Sequence, residues 1–242
     1  MTAQRVLLKL SGEVLAGGTG HGIHADTLGS LAGALIDLTA EGCRVGVVVG
    51  GGNFVRGREL RTTDRNTADQ MGMLSTLING LALRDALKQR GASSVVLSAI
   101  AVEGFLETYS PAAAVEYLEN GFVVIYVGGT GNTFLTTDTA AALRAVQTGC
   151  CRMLKGTKVD GIYDADPMMY PEAKRFREIS YREALELNLK VMDAAALAVC
   201  RDSRLPVSVF DIREASNIVR VYRDPSFGST IRGGENDRSS SE

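Results

Sequence analysis

The sequence predicts an α/β fold built on a largely parallel sheet. Three observations predict it. Short apolar runs of strand length alternate with longer segments of helical periodicity. The run "RVGVVV" is apolar enough past its arginine to be buried on both faces, and "FVVIYV" is a second strongly apolar run. Three strand-like runs end in small-residue loops, "KLSG", "GGGN" and "GGTGN", which would share the carboxyl edge of one sheet.

The elements follow in order. Arg5 to Leu10 is a strand, and "SGEVLAGGTGHG" after it reads as a glycine-rich loop. Asp26 to Glu41 is a helix with Asp26 as its N-cap and Gly42 as its stop. Arg44 to Val49 is the second strand. Thr67 to Arg90 is a long helix closed by Gly91. "SVVLSAI" is the third strand, Pro111 opens a helix to Glu119, and Phe122 to Val127 is the fourth strand. "GTGNTFLTTDTAAALRA", residues 129–145, then packs five threonines, an asparagine and an aspartate before a helix. The second half is less regular. Residues 156–176 read as strand plus extended loop, Ser180 caps a helix, Asp193 opens another, Pro206 to Phe210 is a strand, and Asn217 to Arg223 is a last helix. Without a Pro/Ser-rich linker or internal repeat, residues 1–232 form one domain with two lobes. The polar tail 233–242 is expected to be disordered.

Composition narrows the classes. Apolar residues are 45% and charged residues 22% of the 242, the balance of a soluble globular protein. A net charge of -2 gives no global pull toward nucleic acid or an anionic membrane. No signal peptide or membrane span is expected, and a cytoplasmic location is the default. The four cysteines show no CxxC spacing, so a zinc site is not expected, and Cys43 and Cys200 read as apolar packers. His21 and His24 read as exposed loop residues. No P-loop, GxSxG, HExxH or protein-kinase pattern occurs.

Four clusters carry candidate chemistry. Lys9, followed by Ser11 and Gly12, ends the first strand; it suits phosphate oxygens, though a lysine reaching water explains it equally well at this point. Gly50 to Asn53, with Arg56 beyond, combines backbone donors with a bidentate phosphate clamp. Thr136, Thr137 and Asp138 stand at a helix N-terminus, a ready anion site, with Thr130, Asn132 and Thr133 upstream. Asp138 is odd there unless it holds a lysine or lies near magnesium-bound phosphate. In "GTKVDGIYDADP", Thr157 and Tyr163 could line a nucleoside, while Asp160, Asp164 and Asp166 read first as turn formers. Together these describe a phosphate-rich ligand in a crevice and a phosphoryl transferase. No general base is visible, which suits an acceptor already ionised near neutral pH.

"VLLKLSGE", "VGVVVGGGNFVRG", "ADQMGMLSTLINGLALRDAL", "GTGNTFLTTDTAAALRA", "GTKVDGIYDADP" and "KVMDAAALAVCRD" resemble, in order, the bacterial uridylate kinases of the amino acid kinase family. The resemblance covers about residues 5–232. It implies a three-layer αβα sandwich around a mainly parallel sheet and transfer of the ATP γ-phosphate to UMP with Mg²⁺ carried on the ATP phosphates. It also implies a homohexamer, with the acceptor site mainly in the first half of the chain and the ATP site mainly in the second. By match, Lys9, Leu10, Ser11 and Gly12 face the ATP phosphates, Gly52 and Arg56 serve the transferred phosphate, and Thr157, Tyr163 and Asp166 hold the ATP nucleoside. Gly51 lies near UMP, Asp69 holds its ribose, and Thr130, Gly131, Asn132, Thr133, Phe134, Leu135, Thr136 and Thr137 form the UMP loop. Lys9, Arg56 and Asp138 are the implied catalytic residues, with Asp193 a further contributor. Two segments depart from the family pattern. Thr133-Phe134-Leu135 stands where Pro-Phe-Phe is common. "TGHGIH", Val95 and Phe122 replace acidic, aromatic and arginine positions of the effector region, which argues against GTP activation; UTP inhibition can act through the UMP site. An acyl-phosphate kinase of the same fold and a non-catalytic nucleotide sensor or storage protein remain as alternatives.

Overall fold

The computed structural model describes residues 3–55, 62–189 and 191–233. In chain order it holds β1 (Arg5–Leu10), α1 (Gly12–Leu15), α2 (Ala25–Ala40), β2 (Arg44–Val49), α3 (Arg65–Gln89), β3 (Ser94–Ser98), β4 (Glu107–Thr108), α4 (Pro111–Glu119), β5 (Val123–Val127), α5 (Thr137–Gln147) and β6 (Arg152–Thr157). Then come β7 (Ile162–Tyr163), β8 (Arg175–Phe176), β9 (Glu178–Ser180), α6 (Tyr181–Glu186), α7 (Ala194–Asp202), β10 (Val207–Asp211), α8 (Asn217–Arg223) and β11 (Ser229–Arg232). Nine strands form one sheet in the order β4-β3-β5-β2-β1-β6-β10-β11-β9. Every neighbouring pair is parallel except β10 with β11. β7 and β8 form a separate antiparallel ribbon.

Helices cover both faces, giving the three layers. Val6, Leu8 and Leu10 of β1 pack with Leu31, Leu35 and Leu38 of α2, Leu83 and Leu87 of α3, and Ile218 of α8. Leu7 belongs to the opposite core, with Leu118 of α4, the alanines of α5, Tyr181 of α6 and Leu197 of α7. Successive strand residues point to opposite faces, so Lys9 shares the face of Leu7, beneath α5. By the same alternation Lys155 shares the face of Met153. None of the described helices is long and apolar enough to cross a membrane.

Several boundaries differ from the sequence-based expectation. The segment after β1 is not all loop: α1 and a short 3₁₀ turn at Gly17–Thr19 occupy it. His24, not Asp26, caps α2, its Nδ1 accepting from Thr27 N at 3.4 Å. The helix begins at Ala25, so Asp26 falls in the first turn, where its charge suits the helix dipole. Asp64 caps α3 through the amides of Asn66 and Thr67, so the helix begins at Arg65, two residues ahead of the expected Thr67. β3 ends at Ser98, short of Ile100. Ser180 caps α6 and Asp193 caps α7, as expected, and Glu183 completes a capping box with Ser180. The tail at 234–242 lies outside the described residues.

Candidate active site

Lys9 and Lys155 are register partners on neighbouring parallel strands, β1 and β6, and face the amino end of α5. Asp138, in the first turn of α5, receives both. Lys9 Nζ lies 2.7 Å from Asp138 Oδ1, and Lys155 Nζ lies 2.5 Å from Oδ2. All three side chains are nearly buried, at 10%, 9% and 13% exposure. Burial works to raise the Asp138 carboxyl, but the two lysines outweigh it and hold the group below its usual range. Burial, followed by repulsion from Lys9, pushes the Lys155 ammonium down to about 8 against the pull of Asp138. Lys9, Lys155 and Asp138 carry one net positive charge between them at the carboxyl edge of the sheet, and Asp193 lies near enough to favour the Lys155 ammonium. A polyanion completes such a cluster.

Lys155 is charged below pH 8 and neutral above it. The expected kcat/KM therefore falls as pH rises through about 8. Bound phosphate favours the ammonium, so the matching limb in kcat lies at higher pH. Paired pH–rate profiles check this; a kcat/KM flat to about pH 10, where a free lysine titrates, contradicts it.

The amino end of α5 is fixed from two sides. Thr136 caps it, its hydroxyl accepting from Asp138 N at 3.0 Å. The same hydroxyl donates to Asp193 Oδ2, while Thr139 Oγ1 donates to Asp193 Oδ1 at 2.7 Å. Asp193 also accepts from Ala196 N at 2.9 Å as the cap of α7. One carboxylate thus ties the first turns of α5 and α7 together, and Asp138 rides on that joint.

The loop ahead of α5 is strapped to α3. Gly128, Gly129 and Gly131 adopt φ of 75°, 59° and 82°, which side-chain-bearing residues adopt rarely. Gly128 N donates to Thr76 Oγ1 at 2.7 Å. Thr133 Oγ1 donates to Asn66 Oδ1 at 2.9 Å, and Phe134 N donates to Asp69 Oδ2 at 2.7 Å. Thr130 Oγ1 accepts from Asn132 N at 3.1 Å, closing the loop locally. Thr137 opens α5 behind it. Phe134 and Leu135 stay exposed. Thr133 therefore supplies a side-chain tether that a proline there could not.

The "GGGN" loop after β2 is pinned to the same helix. Asn53 and Asn79 form a buried reciprocal amide pair at 2.9 and 2.7 Å, and Asn79 Nδ2 also donates to Gly50 O at 2.7 Å. Gly50 N donates to Leu10 O at 2.8 Å. The Leu10 side chain is fully buried in the core, so only its backbone can serve a ligand. Packing accounts for two of the glycines. A Cβ on Gly12 would lie 2.6 Å from Gly52 N, and one on Gly51 would lie 2.6 Å from Gly72 O. Gly52 differs: among the described residues a Cβ there meets only Glu13 Cγ, at an ordinary 3.7 Å. Gly51→Ala is expected to destabilise by about 1–3 kcal/mol through overpacking. Gly52→Ala is expected to melt like the wild type but lose about tenfold in kcat/KM, from a methyl placed where a phosphate approaches. Melting curves and steady-state rates on both variants separate the two roles.

A second concavity of about 480 Å³ opens beyond β6. Thr157, Tyr163, Asp166, Leu187, Leu189 and Val191 are among its walls. Thr157 Oγ1 donates to Val159 O at 2.6 Å, Tyr163 OH donates to Asp160 Oδ1 at 2.6 Å, and Asp166 Oδ1 accepts from Met168 N at 2.9 Å. Asp166 therefore forms a turn, whereas Asp164 accepts from Lys174 N ten residues on and closes the longer loop between them. The cavity is apolar-walled with a few polar groups at its rim, as a nucleoside site requires.

Of the expected residues, the described structure brings Lys9, Ser11, Gly12, Gly51, Gly52 and Asp138 to one edge of the sheet and Thr157, Tyr163 and Asp166 to the adjoining cavity. Arg56 lies outside the described residues. The sequence reading missed Lys155, Asn79 and Thr76. Lys155 had one available signal, its place in a strand whose pairing partner is β1, but that register is set by the fold. Among the described residues no three histidine, cysteine or acidic side chains converge as metal ligands.

The amino acid kinase family profile matches residues 4–211. The chain belongs to this family. Among curated amino acid kinases it is 45% identical to a uridylate kinase of Psychrobacter sp. over 94% of its own length and 95% of the relative's. It is 46% identical to a uridylate kinase of Methylococcus capsulatus, over 94% and 96%. Two crystal structures superpose closely on this amino acid kinase. UMP kinase of Bacillus anthracis gives a TM-score of 0.91 at 35% identity, covering 96% of this chain and 97% of the other. UMP kinase of Ureaplasma parvum gives 0.90 at 37%, covering 96% and 100%.

Proposed function

We propose that this amino acid kinase transfers the γ-phosphoryl group of ATP to UMP, giving UDP and ADP. The relatives named uridylate kinase, matched over nearly the whole chain, supply the acceptor. The observation that carries the chemistry is the buried Lys9–Asp138–Lys155 cluster at the carboxyl ends of two adjacent strands. Phosphoryl transfer asks for positioning and charge stabilisation more than for covalent chemistry. A phosphate oxygen of UMP attacks the γ-phosphorus, the bond to the β-bridging oxygen breaks, and ADP leaves with the electron pair. No base is needed, because a phosphate monoester with a second pKa near 6 is already ionised at pH 7.

In this proposal Lys9 and Lys155 lie along the transferred group, and Asp138 keeps the two cations at a fixed spacing. Ser11, Gly12 and the Leu10 backbone flank the ATP phosphates, and the cavity at Thr157, Tyr163 and Asp166 takes its nucleoside. Gly52 leaves room for the phosphate in transit, with Arg56 as its clamp. Gly51 and the loop from Thr130 to Thr137 face UMP, with Asp69 at the ribose. The excess positive charge of the lysine cluster fits nucleotide phosphates, and Mg²⁺ would be held by those phosphates rather than by protein carboxylates, supplying further charge neutralisation. The working form is a cytoplasmic homohexamer that UTP inhibits at the acceptor site, and the departures in its effector region weigh against GTP activation.

The test is ADP release from Mg-ATP with UMP, CMP, dUMP and N-acetylglutamate as separate acceptors. Fast turnover on UMP is expected. Turnover on N-acetylglutamate in its place would move the chain to the acyl-phosphate kinases, although the Asp69 carboxylate repels such an acceptor. UMP binding with no turnover on any acceptor would leave a sensor.

A further inference from the structure

We propose that Arg65 is a positioning residue for the acceptor nucleotide: it orients the Asp69 carboxylate and steers Phe134, and so sets discrimination at the ribose. The inference rests on the UMP reading above. Arg65 Nε donates to both Asp69 oxygens, at 3.1 and 3.0 Å, one helical turn away on α3. Asp69 Oδ2 also accepts from Phe134 N at 2.7 Å. The Arg65 guanidinium carbon lies 5.5 Å from the Phe134 ring centroid, within cation–π range. The three residues close a triangle, and Arg65 touches both other corners.

The triangle has work to do. Phe134 sits at φ 67°, a left-handed conformation that is unfavourable for a bulky side chain. Its amide is held there by a charged acceptor, which makes the contact stronger than a neutral one. A carboxylate offers about four lone-pair directions. Phe134 N uses one on Oδ2, and Arg65 Nε is shared between the oxygens. Oδ1 therefore keeps capacity for a ribose hydroxyl, and Arg65 fixes the rotation of the group that presents it. Arg65 is 60% exposed, so its ion pair adds little to stability. Its contribution lies in orientation.

The experiment compares the full-length wild type with Arg65→Ala and Arg65→Lys. It reads UMP binding by calorimetry without ATP, KM for UMP and ATP, kcat, and the ratio of kcat/KM for UMP over dUMP. Arg65→Ala is expected to weaken UMP binding and raise its KM about tenfold, while kcat and the ATP KM stay within about twofold. The UMP-over-dUMP ratio falls, because an unfixed Asp69 reads the 2′-hydroxyl less well. Arg65→Lys restores part of the loss through its point charge. Unchanged UMP affinity and an unchanged ratio in Arg65→Ala would overturn the proposal, as would equal losses for ATP and UMP. Failure of the wild type itself to use UMP would instead overturn the functional reading on which this rests.

Discussion

Lys9→Ala is expected to lower kcat by ~10²-fold or more, the scale for losing one preorganised charge at the reacting group. The fold should survive. Asp138 keeps Lys155 at 2.5 Å, so no buried charge is left alone. The loss therefore belongs to the transition state, and kcat and kcat/KM should fall together. Steady-state rates beside a thermal melt make the check. Near-normal turnover in a folded Lys9→Ala protein would remove the lysine from the chemistry.

Asp138→Ala is expected to do more damage. It leaves Lys9 and Lys155 facing each other, both nearly buried and of like sign. Breaking a buried ion pair from one side costs about 3–5 kcal/mol. With Asp138 gone, the Lys155 pKa falls further, since Asp138 draws it upward more than Asp193 does. The native lysine then sheds its proton at a lower pH than the unfolded one. Between the two pKa values the unfolded state holds more protons, so stability rises with pH. The wild type gains in the same way above its own Lys155 pKa of about 8, so the destabilisation should shrink as pH rises from 6 toward 8 and level off beyond it. Melts of Asp138→Ala and Asp138→Asn across that range test it, and a pH-independent loss would count against the charge argument.

Much of the fold is legible in the chain. "RVLLKL", "RVGVVV" and "FVVIYV" declare buried parallel strands because only strands covered on both faces are that apolar. Small-residue loops at their ends mark the functional edge, and Thr136 and Asp193 announce helix caps by residue type. What stayed hidden depends on pairing. The lysine of "RMLKGT" looks like any strand lysine until β6 is laid beside β1, which puts Lys155 in register with Lys9. Asn53 and Asn79 are 26 residues apart, and nothing local shows that they bond to each other. β11 follows α8 and returns antiparallel to β10, and its four residues "STIR" hold no apolar run that would announce a strand. The glycines of "GGGN" looked equivalent in sequence. Their packing separates them: the described residues leave no room for a Cβ on Gly51 and do leave it on Gly52.

The central claim is that the Lys9–Asp138–Lys155 cluster is where a phosphoryl group passes from ATP to UMP. A single-turnover experiment with ATP labelled at the γ-phosphate addresses it directly, using wild type and Lys9→Ala with UMP bound. The account predicts that label appears in the β-phosphate of UDP with wild type, and does so about a hundredfold more slowly with the variant. Label released as inorganic phosphate, or transfer to UDP at equal rates in both proteins, would contradict it.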